Sequence, residues 1–179
     1  YTRLSEIFYD ANFCDISIIN CKKALDYSII LNNTLSTART YKCIGYSYQL
    51  LNNVDSALYY YDKSLKTSED INNKLDVEKC IALIMYYSKG EKDSAYVLLK
   101  NNLNKIDNEN VRYSYHYTIG DMFYVDKKYD SALYYLKESL DDSIIIKNVA
   151  FTTTLSAIYD SVGDYEKRAY YDNLSSKLF

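Results

Sequence analysis

The chain reads as an all-α protein, a superhelical solenoid of about five antiparallel helical hairpins. Three observations carry that reading. The stretch Asp55 to Leu65, DSALYYYDKSL, recurs as Asp130 to Leu140, DSALYYLKESL, 75 residues further on. A third copy of its opening, Asp93-Ser94-Ala95, falls 38 residues after the first and 37 before the last, so the interval holds two units. Within the first copy, Ala57, Tyr61, Ser64 and Leu65 stand at i, i+4, i+7 and i+8, one face of a helix, while Asp55, Asp62, Lys63 and Lys66 project from the other.

A second helical segment precedes each copy. With a unit started at Ala38, Tyr41, Ile44, Gly45, Tyr48, Ala57, Tyr61 and Ser64 fall at positions 4, 7, 8, 11, 20, 24 and 27; with a start at Tyr113, His116, Ile119, Gly120, Phe123, Ala132, Leu136 and Ser139 fall at the same places. Small residues at positions 8, 20 and 27 let two helix backbones approach closely. The pattern resembles the tetratricopeptide repeat (TPR) family, in a bacterial, long-repeat form, because successive starts at Ala38, Asp76, Tyr113 and Val149 are 38, 37 and 36 residues apart. In this frame the unit at Asp76 carries Leu83 at position 8, and in the last unit Arg168 takes the small-residue place.

The chain is expected to form one solenoid domain, with a partial unit over 1–35 and further units over 36–73, 74–108, 109–146 and 147–179. Its first residue is Tyr, so it is expected to be a piece of a larger polypeptide. Tyr1 to Ala11 ends a first helix, with Leu4, Ser5 and Phe8 at repeat offsets, and Cys14 to about Leu31 is its partner, with Ser17, Cys21 and Ala24 in frame. Then come Thr34 to Leu51 with Val54 to about Glu69, Lys74 to Ser88 with Glu91 to Asn104, Asn110 to Val125 with Tyr129 to about Ile145, and Lys147 to Val162 with Asp164 to Leu178. Connections this short force antiparallel neighbours. Proline is absent, so Asn52-Asn53, Asn72-Asn73 and Asn108-Glu109-Asn110 are expected to punctuate the helices. Gly90 and Gly163 fall in hairpin turns, where positive φ is wanted.

Composition narrows the function. A net charge of −3 with dispersed lysines gives no basic stripe for nucleic acid. The longest apolar run, Ile81 to Tyr87, is too short to span a membrane. Cys14, Cys21, Cys43 and Cys80 have no metal-ligand spacing and are expected to be buried thiols, so no metal and no cofactor is expected. The 23 tyrosines are expected to fill repeat positions and cover helix surfaces with their hydroxyls in water. The one histidine, His116, stands in a packing slot, and adjacent acids such as Asp141-Asp142 point to different sides of a helix. No nucleophile has a base beside it, so no enzyme is expected.

The resemblance implies a binding function. In TPR proteins positions 2, 5, 9, 12 and 13 line the concave groove, which here nominates Tyr9; Arg39, Lys42, Tyr46 and Gln49; Tyr87; Tyr117, Asp121 and Tyr124; and Asp160. The ligand implied is a protein or peptide, and the chain is read as a scaffold or sensor module. Its Asn-, Lys-, Ile- and Tyr-rich repeats are similar to those of some bacterial regulators. The alternatives are a receptor for a short signalling peptide and self-association, as a homo-oligomer, through a terminal helix that ends on Leu174, Leu178 and Phe179. A two-carboxylate clamp, as in chaperone-binding members, is not expected: Lys42 fits, but Tyr46 replaces its Asn, and Val77 and Cys80 supply no cation.

Overall fold

The computed structural model describes residues 14–138 and 149–177. The chain forms two compact units, Tyr1–Asn104 and Lys105–Phe179. The first contains α1 (Cys14–Ile30), α2 (Thr34–Leu50), α3 (Val54–Thr67), α4 (Ile71–Tyr87) and α5 (Lys92–Leu103). The second contains α6 (Glu109–Val125), α7 (Tyr129–Glu138), α8 (Val149–Ser161) and α9 (Tyr165–Ser176). Among the described residues there is no strand. The expected first helix over 1–11, the pair Asp141-Asp142, and the ends at Ile145, Lys147, Leu178 and Phe179 lie outside the described residues.

The turns explain how sequential helices are folded back. After α1, α2, α6 and α8 the chain takes one residue at positive φ: Asn32 (50°), Asn52 (56°), Lys127 (59°) and Gly163 (77°). In the α2–α3 turn the Asn52 N–H donates to the Gln49 carbonyl and the Asn53 N–H to the Tyr48 carbonyl, which satisfies the last orphan acceptors of the helix. The same two bonds recur at Asn32 and Asn33, Lys127 and Lys128, and Gly163 and Asp164. The residue that closes the turn can then open the next helix. The side chains of Asn33, Asn53 and Asp164 accept the N–H groups of Ser36, Ser56 and Lys167.

Two of the expected punctuation sites behave this way, and one does not. Asn53 and Asn108 are N-caps, but Asn72 and Asn73 lie inside α4, whose cap is Asp70 accepting the Asn72 N–H. Asn73 is buried and donates to the Ser64 hydroxyl, which itself donates to the Ala38 carbonyl. A buried side-chain partner therefore outweighs the turn preference of asparagine at this position.

Each unit has its own core. In the first, Ala57, Tyr61, Val77, Cys80 and Ile84 cluster, with Val54, Leu58, Leu65 and Tyr46 packed against them. Cys21, Cys43 and Ile44 form a second cluster under Tyr48 and Tyr60. In the second unit Tyr115, Ile119, Met122, Ala132, Leu136, Phe151, Leu155 and Ile158 are buried. The four cysteines are buried thiols outside any disulfide, as expected. Tyrosine follows expectation in part: Tyr59, Tyr134 and Tyr170 cover helix surfaces, whereas Tyr61 and Tyr115 are wholly buried. Others form a repeated aromatic pair between the two helices of a hairpin: Tyr48 stacks on Tyr60, Phe123 on Tyr135 and Tyr159 on Tyr171, with centroids 5.5, 5.5 and 5.6 Å apart.

Candidate protein-binding faces

The crossing position fixes the register of each hairpin. A Cβ built on Gly45 would lie 2.7 Å from two ring carbons of Tyr61, and one on Gly120 would lie 2.7 Å from Cγ of Leu136. Position 8 therefore faces position 24 in both. In the last hairpin the matching pair is Ser156 and Asp172, joined by a 2.5 Å hydrogen bond from the serine hydroxyl, so the frame holds there although Arg168 occupies the small-residue place. Arg168 turns outward to Asp160 at 2.7 Å and Asp172 at 3.5 Å.

The unit expected to open at Asp76 needs a one-residue correction. The buried residues Thr40, Cys43, Gly45 and Ser47 of α2 recur 37 residues later as Val77, Cys80, Ala82 and Ile84 of α4. Ala82, not Leu83, is the crossing residue, and the unit opens at Leu75. The extra residue lies in the turn, where Ser88-Lys89-Gly90-Glu91 replaces the three-residue Leu51-Asn52-Asn53, with Gly90 at φ +71°. Measured from second helix to second helix, that insertion looks like a shift of the whole unit.

In the corrected register, positions 2, 5, 9, 12 and 13 of α4 are Asp76, Lys79, Leu83, Tyr86 and Tyr87. Asp76, Lys79, Leu83 and Tyr86 escaped the sequence reading, and of these Tyr86 is buried; the 37-residue spacing of Cys43 and Cys80 was the signal that could have found them. Lys42 of α2 meets Asp76 at 2.9 Å, and Lys79 lies 3.7 Å from the other oxygen of the same carboxylate. Lys79 thus does supply a cation after Lys42, contrary to the reading based on Val77 and Cys80, but Asp76 already sits between the two ammonium groups.

The remaining nominated residues have distinct settings. Arg39 is exposed, 3.7 Å from Asp70. Tyr46 is half-buried against the first core cluster, and Gln49 accepts the Tyr61 hydroxyl at 2.7 Å. Tyr87 is exposed, its ring edge-on to Tyr86 at 4.7 Å. Tyr9 lies outside the described residues. In the second unit Tyr117, Asp121 and Tyr124 are half-buried on α6, and Tyr117 packs against Phe151 at 5.9 Å. Asp160 is exposed and paired with Arg168.

Electrostatic settings follow burial. Desolvation pushes the Tyr61 hydroxyl far above its ordinary range, and raises the Cys80 thiol beside it. Burial raises Tyr117, the hydrogen bond between its hydroxyl and Thr154 opposes that in part, and the nearby Asp121 carboxylate adds a smaller upward push. Burial lowers His116, which Glu138 opposes only in part; its ring lies 5.9 Å from Tyr135, the packing role expected of it. Two open surface hollows, about 410 Å³ beside Lys127 to Ser131 and Val162 and about 220 Å³ between α1 and α2, contain none of the nominated residues. Among the described residues no group of three or more His, Cys, Asp or Glu could hold a metal, and no helix is long and apolar enough to cross a membrane.

A stack of helical hairpins crossing at small residues in this way is the TPR-type fold, and solved structures bear the likeness out. PilF of Pseudomonas aeruginosa matches over 100% of this chain and 75% of its own, with a TM-score of 0.70 and 15% identity. The nearly identical TPR-like repeats of a Podospora anserina kinesin light chain match over 99% of this chain and 92% of their own, with a TM-score of 0.62 and 10% identity. A MamA RS-1 double mutant matches over 98% and 90%, with a TM-score of 0.58 and 11% identity. No protein-family model and no curated protein matches the sequence.

Proposed function

We propose that the chain is a non-catalytic scaffold or sensor module that binds protein or peptide segments on the first-helix faces of its units. The observation that carries this reading is the layout of α2 and α4. Lys42 of α2 pairs with Asp76 of α4, which supports reading positions 5 and 2 of successive first helices as parts of one face. Charged side chains (Arg39, Lys42, Asp76, Lys79) occupy the first half of each helix, and Tyr46, Leu83 and Tyr87 the second half. A charged stretch followed by an aromatic one suits an extended segment or a partner helix, because tyrosine offers contact area at small rotamer cost.

Self-association through α9 forms no part of this reading. Where α3 presents Val54, Leu58 and Leu65 to the next helix, α9 carries Tyr165, Ala169 and Ser176 at the matching positions. Among the described residues these three positions of α9 are less aliphatic than those of α3.

The test is selection of a displayed random peptide library on the purified chain, followed by fluorescence anisotropy with an enriched peptide. Replacing Tyr46, Tyr87 and Tyr124 together with Ala should weaken binding at least tenfold while circular dichroism stays helical. Unchanged affinity in the folded triple variant would place recognition on another surface.

A further inference from the structure

The second helices carry an exposed row that ligand binding on first helices does not use. In the first unit Ser17 of α1, Ala57 of α3 and Ala95 of α5 are wholly buried, and so are Cys21, Tyr61 and Leu99 four residues later. The three helices therefore turn the same face to the core. Two residues after the first of each pair, on the far side of the helix, stand Ile19, Tyr59 and Val97, exposed by 55, 55 and 58%. The step between hairpins also repeats: Ser17 meets Ser47 at 2.9 Å where α1 packs on α2, and Ala57 shares a buried cluster with Ile84 where α3 packs on α4. Equal steps of equally turned helices set the three exposed side chains in one row.

Charge follows the same order on each helix. Four residues before the apolar side chain comes an exposed acid, Asp15, Asp55 or Asp93, and three or four after it a lysine, Lys22, Lys63 or Lys100. A spacing of i, i+4 and i+7 or i+8 keeps all three on one side. An acid in the first turn is stabilised by the helix dipole, which accounts for one end of this order but not for its exposed apolar middle. Tyr59 is held in place, its ring edge-on to Tyr60 at 5.2 Å while Tyr60 stacks on Tyr48 at 5.5 Å, and the Lys63 ammonium lies 5.3 Å from it. The second unit repeats the order by itself, with Asp130, Tyr134 and Lys137 on α7.

We propose that Ile19, Tyr59 and Val97 form the contact between two copies of the chain, related by a two-fold axis that runs along the row and across the helices. That axis lays apolar side chain on apolar side chain, and sets the acid of each helix against the lysine of the same helix in the other copy. Residues 1–104 carry 12 Lys and Arg against 12 Asp and Glu, so two first units meet without net repulsion. None of the residues nominated for ligands lies in this row, which makes pairing and peptide binding separate properties.

The test is analytical ultracentrifugation of the full chain from micromolar to millimolar concentration, with circular dichroism as a check on folding. An equilibrium between monomer and dimer is expected. Tyr59→Glu and Val97→Glu, both at exposed positions, should each weaken it by about tenfold or more. Asp93→Lys alone and Lys100→Glu alone should also weaken it, because each sets like charge against like charge. The double variant Asp93→Lys, Lys100→Glu should recover association, which a mere loss of helix stability would not allow. A chain that is monomeric at every concentration overturns the proposal. So does a dimer indifferent to Tyr59→Glu and Val97→Glu, or a double variant no better than either single one. A monomer that instead binds phosphatidylcholine vesicles, and loses that binding with Tyr59→Glu, would give the row to a lipid surface and likewise overturn it.

Discussion

The ring of Tyr61 fills the space that a side chain on Gly45 would need: two ring carbons lie 2.7 Å from where its Cβ would stand, and the Ala57 carbonyl oxygen lies 3.2 Å away. Helix preference alone would favour Gly45→Ala by about 1 kcal/mol. Overpacking opposes it by about 1–3 kcal/mol, and Tyr61 has little freedom to yield, being wholly buried with its hydroxyl held by Gln49. Gly45→Ala is therefore expected to destabilise the first unit by about 1–2 kcal/mol in urea unfolding. Gly120→Ala should do the same in the second, where Leu136 and the Ala132 carbonyl are the obstacles.

Lys127 holds a left-handed conformation that Asn32, Asn52 and Gly163 hold in the equivalent turns. A lysine gains nothing there, because it lacks both the freedom of glycine and the short polar side chain of asparagine. Lys127→Gly or Lys127→Asn should stabilise by about 0.5–1 kcal/mol, read as a higher midpoint in thermal unfolding. A fall in midpoint would show that the lysine has a role the turn geometry does not reveal.

Much of the hairpin architecture was legible in the sequence because it depends on residue size at fixed spacing. Gly45, Ala57 and Ser64 announce a close crossing, and their counterparts Gly120 and Ala132 repeat it. Two kinds of feature were hidden. The shift from Leu83 to Ala82 was masked by a lengthened turn, since spacing counts residues without saying where an extra one sits. Pairings such as Lys42 with Asp76, or Tyr61 with Gln49, join helices that only the three-dimensional register brings together. Asn73 misled for a related reason: its buried bond to Ser64 is invisible to a rule based on neighbouring residues.

His116 gives the second unit an acid sensitivity. Burial lowers its pKa below the ordinary 6.5, so the folded chain binds this proton less readily than the unfolded one. Stability from this group is present above pH 6.5 and is lost as pH falls through the depressed folded value. Thermal melts should therefore show a lower midpoint at pH 5.5 than at pH 7.5. His116→Tyr, which restores the tyrosine found at the matching Tyr41, should reduce that difference, and an unchanged difference would assign it to other groups.

Tyr61 acts at the opposite end of the pH scale. Its hydroxyl stays protonated in the folded chain well above the ordinary 10.0, whereas an unfolded tyrosine ionises there. The stability it contributes is complete below pH 10 and declines as pH rises beyond it. Tyr61→Phe should cost about 1 kcal/mol at neutral pH through loss of the bond to Gln49, and should flatten the alkaline loss of stability measured by denaturant unfolding.

Asp76 should act as a guard against acidic ligands. A peptide ending in Glu-Glu-Val-Asp is expected to show no micromolar binding in calorimetric titration, since both Lys42 and Lys79 already face a carboxylate. Asp76→Asn keeps the shape and removes that charge, so weak binding of the same peptide should emerge at low salt and fade as salt is added.

The four-residue bend at Ser88 to Glu91 shows that hairpin tips can lengthen while the helices beneath them keep their mutual fit. Such tips are natural points for evolutionary or deliberate insertion. A short tag placed between Lys89 and Gly90 would leave Ala82 and Ala95 in their helices, and would offer a handle two residues beyond Tyr87, at the aromatic end of the surface assigned to ligands.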